Sequence, residues 1–424
     1  MTFPLAETYW YTRKKPEVRP LVSDLDAEVL VIGGGMAGLS CAQALREAGR
    51  EVVVLEREFC GAGASGKSSG FITPDSELDL SALVRKFGPE RAKELREFVS
   101  GGVELIRENI RRFKLDCDYR EQDSLYVANR PGGVRKIEAE HRARLRLGYP
   151  SRMYSRRELP GILGSSGYFA GVRYPGTFGM NSYLYCQGMK DILRRKGVPV
   201  YEKTAAVWMS KGSVYAGRNI VRAKQIVLCL DRFLPALGKL DRRIYHLQTF
   251  LALTEKLAPE ALGKIFPDGH LMVWDTDLIY QYFRVAEGGR LLVGGGDLFQ
   301  TYAKTTKDLQ GPFRKLYRYL SEKFPGHRLA FEYLWPGFLG ASPDLLPIAE
   351  EDPRAAGTYY VAGATGLPWA AALGRYLAEK AVSSRSDLDP YFTSGREFPW
   401  PAGLRRILGT RLSFALSHGR AKLV

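Results

Sequence analysis

Three short runs of this sequence hold residue types whose spacing does chemistry. The first, Gly33-Gly34-Gly35-Met36-Ala37-Gly38, sets its glycines as GxGxxG. Gly33 permits a tight turn, Gly35 lets the backbone approach a pyrophosphate, and Gly38 lets a helix pack close to a strand. N–H groups at a helix start have no partners within the helix and face phosphate charge. Glu56 closes the strand after that helix, where a carboxylate accepts from a ribose 2′-hydroxyl and repels a 2′-phosphate. The second run, Gly61-Ala62-Gly63-Ala64-Ser65-Gly66 leading into Lys67-Ser68-Ser69-Gly70, is built of small residues for close backbone approach. Lys67 within it would stabilise a developing anion by its charge, or else serve as a phosphate or backbone contact. The third run, Tyr359-Tyr360-Val361-Ala362-Gly363-Ala364-Thr365-Gly366, reads as strand, glycine turn and helix start.

Other candidates carry a plainer alternative. Tyr280, Tyr282 and Arg284 alternate along a strand, so they share a face and would hold a carboxylate, although an aromatic-rich strand more often serves packing. Trp369 would either wall a pocket or sit in the core. The five histidines, His141, His246, His270, His327 and His418, show no HxH or HxxxH spacing, so no metal site is expected. Cys41, Cys60, Cys117, Cys186 and Cys229 form no CxxC pair, which argues against zinc or a disulfide framework and for a reducing, cytoplasmic setting. Cys60, beside the small-residue loop, reads as structural.

The elements that must position these groups follow from periodicity. Ala27–Ile32 reads as a buried strand, Met36–Ala48 as a helix stopped by Gly49, and Glu51–Glu56 as a parallel strand, together a βαβ unit. Pro89–Phe113 has helical spacing, with Gly101-Gly102 expected to mark a kink. Arg135–Arg157, rich in arginine, reads as a solvated helical stretch. Asn181 caps a helix reaching about Lys196. Short strands then dominate to Asp297, before a helix from about Lys307 to Phe324, a strand near Phe331–Trp335 and a final long helix from about Ala370 to Ser383. With the βαβ unit at the start and a second set of helix-start N–H groups at Gly363–Gly366, FAD is favoured over NAD. Those N–H groups would lie where flavin reduction builds negative charge near N1 and O2.

VIGGGMAGLSCAQALREAGREVVVLERE, GAGASGKSSGF and YYVAGATGLPWAAALGRYLAEKA together resemble the D-amino-acid-oxidase-like family of FAD-dependent oxidoreductases. That family includes glycine oxidase and sarcosine oxidase. The likeness runs from about Tyr9 to Ser384 and is greatest to the gamma-glutamylputrescine oxidase type, through FGPERAKELREF, LDCDYREQDSLYVA and RLLVGGGD. It implies an α/β fold: a Rossmann-like FAD domain built from residues 1–75, 166–240 and 340–390, with an inserted α+β substrate domain over 76–165 and 241–339. The inserted domain should carry an antiparallel sheet over the flavin. Carried over residue by residue, the FAD contacts are Gly33, Gly35, Gly38, Glu56, Ser65, Lys67, Ser68, Val207, Gly363 and Gly366. Met36, Ala37, Arg57, Gly63, Ala64, Leu367 and Pro368 are expected to bind the cofactor with them. The chemistry implied is oxidation of a primary or secondary amine or amino acid by hydride transfer to flavin N5. O2 is the expected acceptor, with Lys67, Tyr280, Tyr282, Arg284 and Trp369 as residues around the reacting centre. Two positions depart from the family pattern: Lys67-Ser68-Ser69-Gly70 stands where relatives often have Arg-Asn-Gly-Gly, and Leu367-Pro368-Trp369 where a His-Gly pair is common.

The 62 Lys and Arg outweigh 46 Asp and Glu, for a net charge of +16. Such a field draws anions, anionic lipid or nucleic acid, or is an uncommitted basic surface. Two alternatives follow: a dehydrogenase passing electrons to a membrane or protein acceptor, and a flavoprotein acting on a tRNA-linked amine. The latter, and nucleic acid as a partner generally, lacks any recognisable RNA-binding module. A non-catalytic FAD-binding sensor is a further reading, favoured by the altered turn at Leu367. No apolar run reaches the ~18 residues that span a bilayer. The basic extension, 391–424, sets Arg405, Arg406, Arg411, Arg420 and Lys422 among Leu404, Ile407, Leu408, Leu412, Phe414 and Leu416. It reads as an amphipathic helix that packs on the enzyme, stays disordered, or lies peripherally on an anionic membrane.

Overall fold

The computed structural model describes residues 3–210, 212–303, 305–306, 308–383 and 387–423. Lys307 and Ser384, used above as boundaries, lie outside the described residues. Strand Leu25–Ile32 pairs in parallel with Val52–Leu55 on one side and with Asn219–Leu228 on the other. Its last four residues are fully buried valine, leucine and isoleucine, as an interior parallel strand requires. Val52–Leu55 in turn pairs with Val200–Tyr201, and Ile226–Leu228 pairs in parallel with strand Thr358–Ala362. The nucleotide-binding sheet is thus assembled from segments far apart in the chain.

Helix Leu367–Ser383 leaves that last strand and lies against helices Met36–Glu47 and Pro89–Phe113. At both crossings a glycine admits the neighbouring backbone. A Cβ on Gly374 would run into the carbonyl of Ala37, and one on Gly102 into that of Pro368. The kink expected at Gly101-Gly102 is therefore absent; Pro89–Phe113 is one continuous helix of 25 residues, and Gly102 serves close approach.

The second sheet runs Phe331–Ala341, Tyr245–Lys256, Arg290–Gly295, Tyr282–Ala286, Leu271–Asp275, Asp123–Val127, Ala170–Tyr174 and Arg152–Ser155. It is antiparallel except where Leu271–Asp275 pairs in parallel with Asp123–Val127. Those two strands come from different parts of the inserted region, so no hairpin turn imposes antiparallel pairing on them. Ala170–Tyr174 also corrects a boundary: it belongs to this sheet, between Asp123–Val127 and Arg152–Ser155, although residues from 166 were assigned to the FAD domain. Ala170 and Val172, on one face of the strand, complete a small core with Tyr126 and Ile137.

The arginine-rich stretch is not solvated throughout. Helix Val134–Arg146 buries Glu140 and Arg144, each 1% exposed. Arg144 bonds Glu140 at 2.9 Å and Asp75 at 2.7 Å and stacks 3.4 Å above the Tyr174 ring. The basic extension is folded onto the enzyme as helix Ala402–Leu423, broken at Gly409 (φ 70°). Among the described residues, no helix is long and apolar enough to cross a membrane.

Candidate active site

The glycine turn is held as its spacing requires. Gly33 has φ 116°, and a Cβ there would strike the Cys229 carbonyl; one on Gly38 would strike the Gly33 carbonyl. Gly35 caps the helix and brings no side chain to its first N–H groups. Ser65 Oγ accepts from the Met36 N–H at 2.9 Å, tying the small-residue loop to that helix start. Glu56 accepts from the Gly34 N–H at 2.7 Å and the Glu58 N–H at 2.9 Å. Burial pushes its carboxyl up, against those two N–H groups. Exposed Arg57 stacks 3.8 Å over Phe233, while Gly63 and Ala64 lie exposed at the edge of the loop. Val207 stands apart, at a bulge in the edge strand Ala206–Ser210, with its side chain 59% exposed.

At the far end of the same sheet, Gly363 (φ 68°) and Gly366 (φ 119°) shape the turn before helix Leu367–Ser383. Asp231 fixes this turn: its carboxylate accepts from the N–H groups of Gly363 at 2.9 Å and Gly340 at 2.6 Å. This residue was missed from sequence. Its one available signal was an acid directly after the buried strand QIVLCL.

Between these turns and the second sheet lies a cavity of about 290 Å³. Ala64, Ser65, Lys67, Ser68 and Ser69 line it from the loop, and Gly366, Leu367 and Pro368 from the helix start. Thr249 and Gly337 come from the paired strands, and Phe71, Tyr126, Trp274, Tyr280 and Tyr282 supply aromatic walls. Of the residues expected around a reacting centre, Lys67, Tyr280 and Tyr282 meet here. Burial, and then the positive charges of Arg232 and Arg57, push the Lys67 ammonium pKa down.

Arg284 and Trp369 do not join them. Arg284 is fully buried, and its guanidinium donates to the carbonyls of Ser69 (2.7 Å), Met180 (2.7 Å) and Val285 (2.9 Å). With every bond spent on backbone, it is a clamp; burial lowers its pKa to about 10. Trp10 donates to the Ser68 carbonyl at 2.9 Å and Trp335 to that of Lys67 at 3.1 Å. Three consecutive carbonyls of the Lys67 loop are therefore each pinned by a separate buried side chain. Trp369 turns away from the cavity into the core, 2% exposed, against Phe98 and Phe392.

Acids gather on the opposite lining. Asp75 is held by Arg96 at 2.8 Å and by Arg144, with Tyr174 and Thr73 also donating. Despite burial, those arginines keep its carboxyl well below the usual range. Asp79 pairs with Lys136 at 3.2 Å. Asp275 accepts at Oδ1 from the Asp277 N–H at 3.0 Å, yet burial and the neighbouring Asp277 charge push it up to about 7. Glu77 accepts from Tyr280 at 2.8 Å and pairs with Lys422 at 2.7 Å. His418 bridges the Tyr302 hydroxyl and the Ser342 carbonyl, each at 2.8 Å; burial lowers it to about 4, so the ring is neutral. Neither His418 nor Lys422 was foreseen at the site.

The donor set fits a dinucleotide carrying a flavin. A carboxylate closes the second strand beside the glycine turn, two helix starts offer N–H groups, and the packing around Gly33, Gly35 and Gly38 leaves little room for a side chain on the turn. Comparison with known proteins agrees. The chain is 27% identical to gamma-glutamylputrescine oxidoreductase of Escherichia coli over 398 residues, 90% of each protein. It is 25% identical to the probable oxidoreductase OrdL of Haemophilus influenzae over 320 residues, 73% of each. The crystal structure of glycine oxidase from Geobacillus kaustophilus shares the fold, with a TM-score of 0.75 at 18% identity, covering 88% of this chain and 99% of that one. The family model for FAD-dependent oxidoreductases matches residues 28–380. The chain therefore belongs to the FAD-dependent oxidoreductase family, with FAD as its cofactor.

Proposed function

We propose that the protein oxidises a primary or secondary amine, or an amino acid, at the carbon next to nitrogen, with O2 as the electron acceptor. The observation that carries this is the cavity itself: a cation, Lys67, with no ion-pair partner among the described residues on one wall, aromatic rings on another, and the second helix start between them. FAD, when bound, supplies the two-electron acceptor. Gly33, Gly35, Gly38, Ser65 and Glu56 would hold its nucleotide half, and Gly363, Gly366 and Leu367 its ring end. The names of the relatives, an oxidoreductase of gamma-glutamylputrescine and a glycine oxidase, support an amine donor.

The chain's own residues do the rest. An alkylamine with a pKa of about 10 arrives protonated, and the nitrogen must lose that proton before the adjacent C–H bond can be oxidised. The charge on Lys67 and the half-buried rings of Tyr282 and Phe71 both disfavour an ammonium beside them. Those walls also restrict the substrate's orientation and exclude water. The clamped carbonyls of Lys67, Ser68 and Ser69 keep the lysine in place, where its charge favours negative charge building nearby.

The test is anaerobic mixing of the FAD-loaded protein with a panel of amines and amino acids while the flavin absorbance is followed. Bleaching by an amine class, then recovery with hydrogen peroxide on admitting air, is expected. A flavin that stays oxidised with every amine refutes the donor, and bleaching without peroxide refutes the acceptor.

A further inference from the structure

The segment after Gly409 brings two side chains, His418 and Lys422, to the cavity lining. Phe414 is buried against Tyr245, and Ser413, Ser417 and His418 are buried with it. One helical turn beyond His418, the Lys422 ammonium lies 2.7 Å from Glu77 Oε2 and 3.3 Å from the Leu278 carbonyl. It sits 5.0 Å from the centre of the Tyr280 ring. The Tyr280 hydroxyl donates to the other oxygen of Glu77. Both charged side chains are mostly withdrawn from water, at 12% and 18% exposure. A primary alkylammonium is thus already seated in the cavity, against a carboxylate, a carbonyl and an aromatic face, the group set that recognises such an ion.

We propose that Glu77, Tyr280 and the Leu278 carbonyl form a subsite for a second, charged nitrogen of the substrate, and that Lys422 fills this subsite until such a substrate displaces it. The inference rests on amine oxidation at the same cavity and narrows the substrate class to diamines and related polycationic amines. Charge balance favours the exchange. One ammonium replaces another beside Glu77, so no carboxylate is left buried and unpaired, and the released Lys422 regains its hydration. Asp75 and Asp79 are unsuited to the role. Asp75 is held by two arginines, and the partner of Asp79, Lys136, belongs to a helix embedded in the second domain. Only Glu77 among these three draws its counter-ion from the segment beyond Gly409. The two ends of such a substrate meet opposite demands: Lys67 disfavours charge on the reacting nitrogen, and Glu77 rewards it on the other.

The experiment uses the full FAD-loaded chain with 1,5-diaminopentane and n-pentylamine, which differ only in the second nitrogen. KM is measured for both by flavin reduction in the parent protein, Glu77→Gln and Lys422→Met. In parallel, trypsin cleavage after Arg420 is followed by mass spectrometry as each amine is titrated. A diamine preference in the parent is expected, reduced at least tenfold by Glu77→Gln and increased several-fold by Lys422→Met, with cleavage rising with diamine alone. If both amines bleach the flavin but the variants leave their KM ratio unchanged, the subsite is refuted while amine oxidation stands. If neither bleaches it yet the diamine alone speeds cleavage after Arg420, the subsite stands and the oxidation reading fails. A diamine that does neither overturns the inference.

Discussion

Replacing Asp275 by Asn should stabilise the protein, by an amount that grows as pH rises from 3.8 to about 7. The ordinary aspartate pKa of 3.8 is raised to about 7 in the fold, first by burial and then by the charge of Asp277. Between those two values the folded protein keeps a proton that the unfolded chain has released. The stability this provides is complete below 3.8, declines as pH rises towards 7, and is gone above it. A shift of about three units, at about 1.4 kcal/mol each, makes the penalty about 4 kcal/mol at pH 8. Asparagine keeps the Oδ1 acceptor for the Asp277 N–H and drops the charge. Urea unfolding of both proteins with saturating FAD, at pH values from 5 to 8, measures the difference. The variant should gain on the parent from pH 5 to about 7 and hold that gain to pH 8. A gap that does not change with pH, or a variant less stable at pH 8, would show that Asp275 is not the buried, proton-holding group described.

Glu56→Gln should weaken FAD binding about tenfold to a hundredfold, since a charged acceptor is worth about 1.5–3 kcal/mol; fluorescence titration of the apoprotein checks this, and unchanged affinity would contradict its placement at the ribose. Arg144→Met removes one partner from a buried network with Glu140 and Asp75. A loss of about 3–5 kcal/mol is expected in denaturant unfolding, and a loss below 1 kcal/mol would mean the network is not the support it resembles.

The residues legible in advance were those whose meaning is local. Gly33, Gly35, Gly38 and Glu56 announce themselves because turn, helix and strand follow one another directly, and the structure forms that turn, helix and strand in that order. Strand alternation misled at Arg284 for a definable reason. The strand begins only at Tyr282, so Tyr280 lies in the loop before it and shares no strand face with Arg284. Tyr280 meets Glu77 in the cavity; Arg284 meets the Ser69 carbonyl beneath the loop. At Gly101-Gly102 composition suggested a bend, while the true cause, the carbonyl of Pro368, lies far along the sequence. Trp10, Asp231, Trp335, Glu140 and Lys422 stayed silent for the same reason: each acts through a partner that only the fold brings near.

The way helix Leu367–Ser383 rests on Met36–Glu47 has a consequence for biosynthesis. The glycine turn is made long before the helix that covers its flank at the Gly374–Ala37 crossing. At ~10 residues per second the interval is on the order of half a minute. Throughout it the nascent βαβ unit exposes Leu39 and other apolar residues that the finished protein buries. Chaperone capture, rather than cofactor supply, would then limit the yield of active protein during rapid expression, and slower synthesis should raise the fraction that emerges yellow.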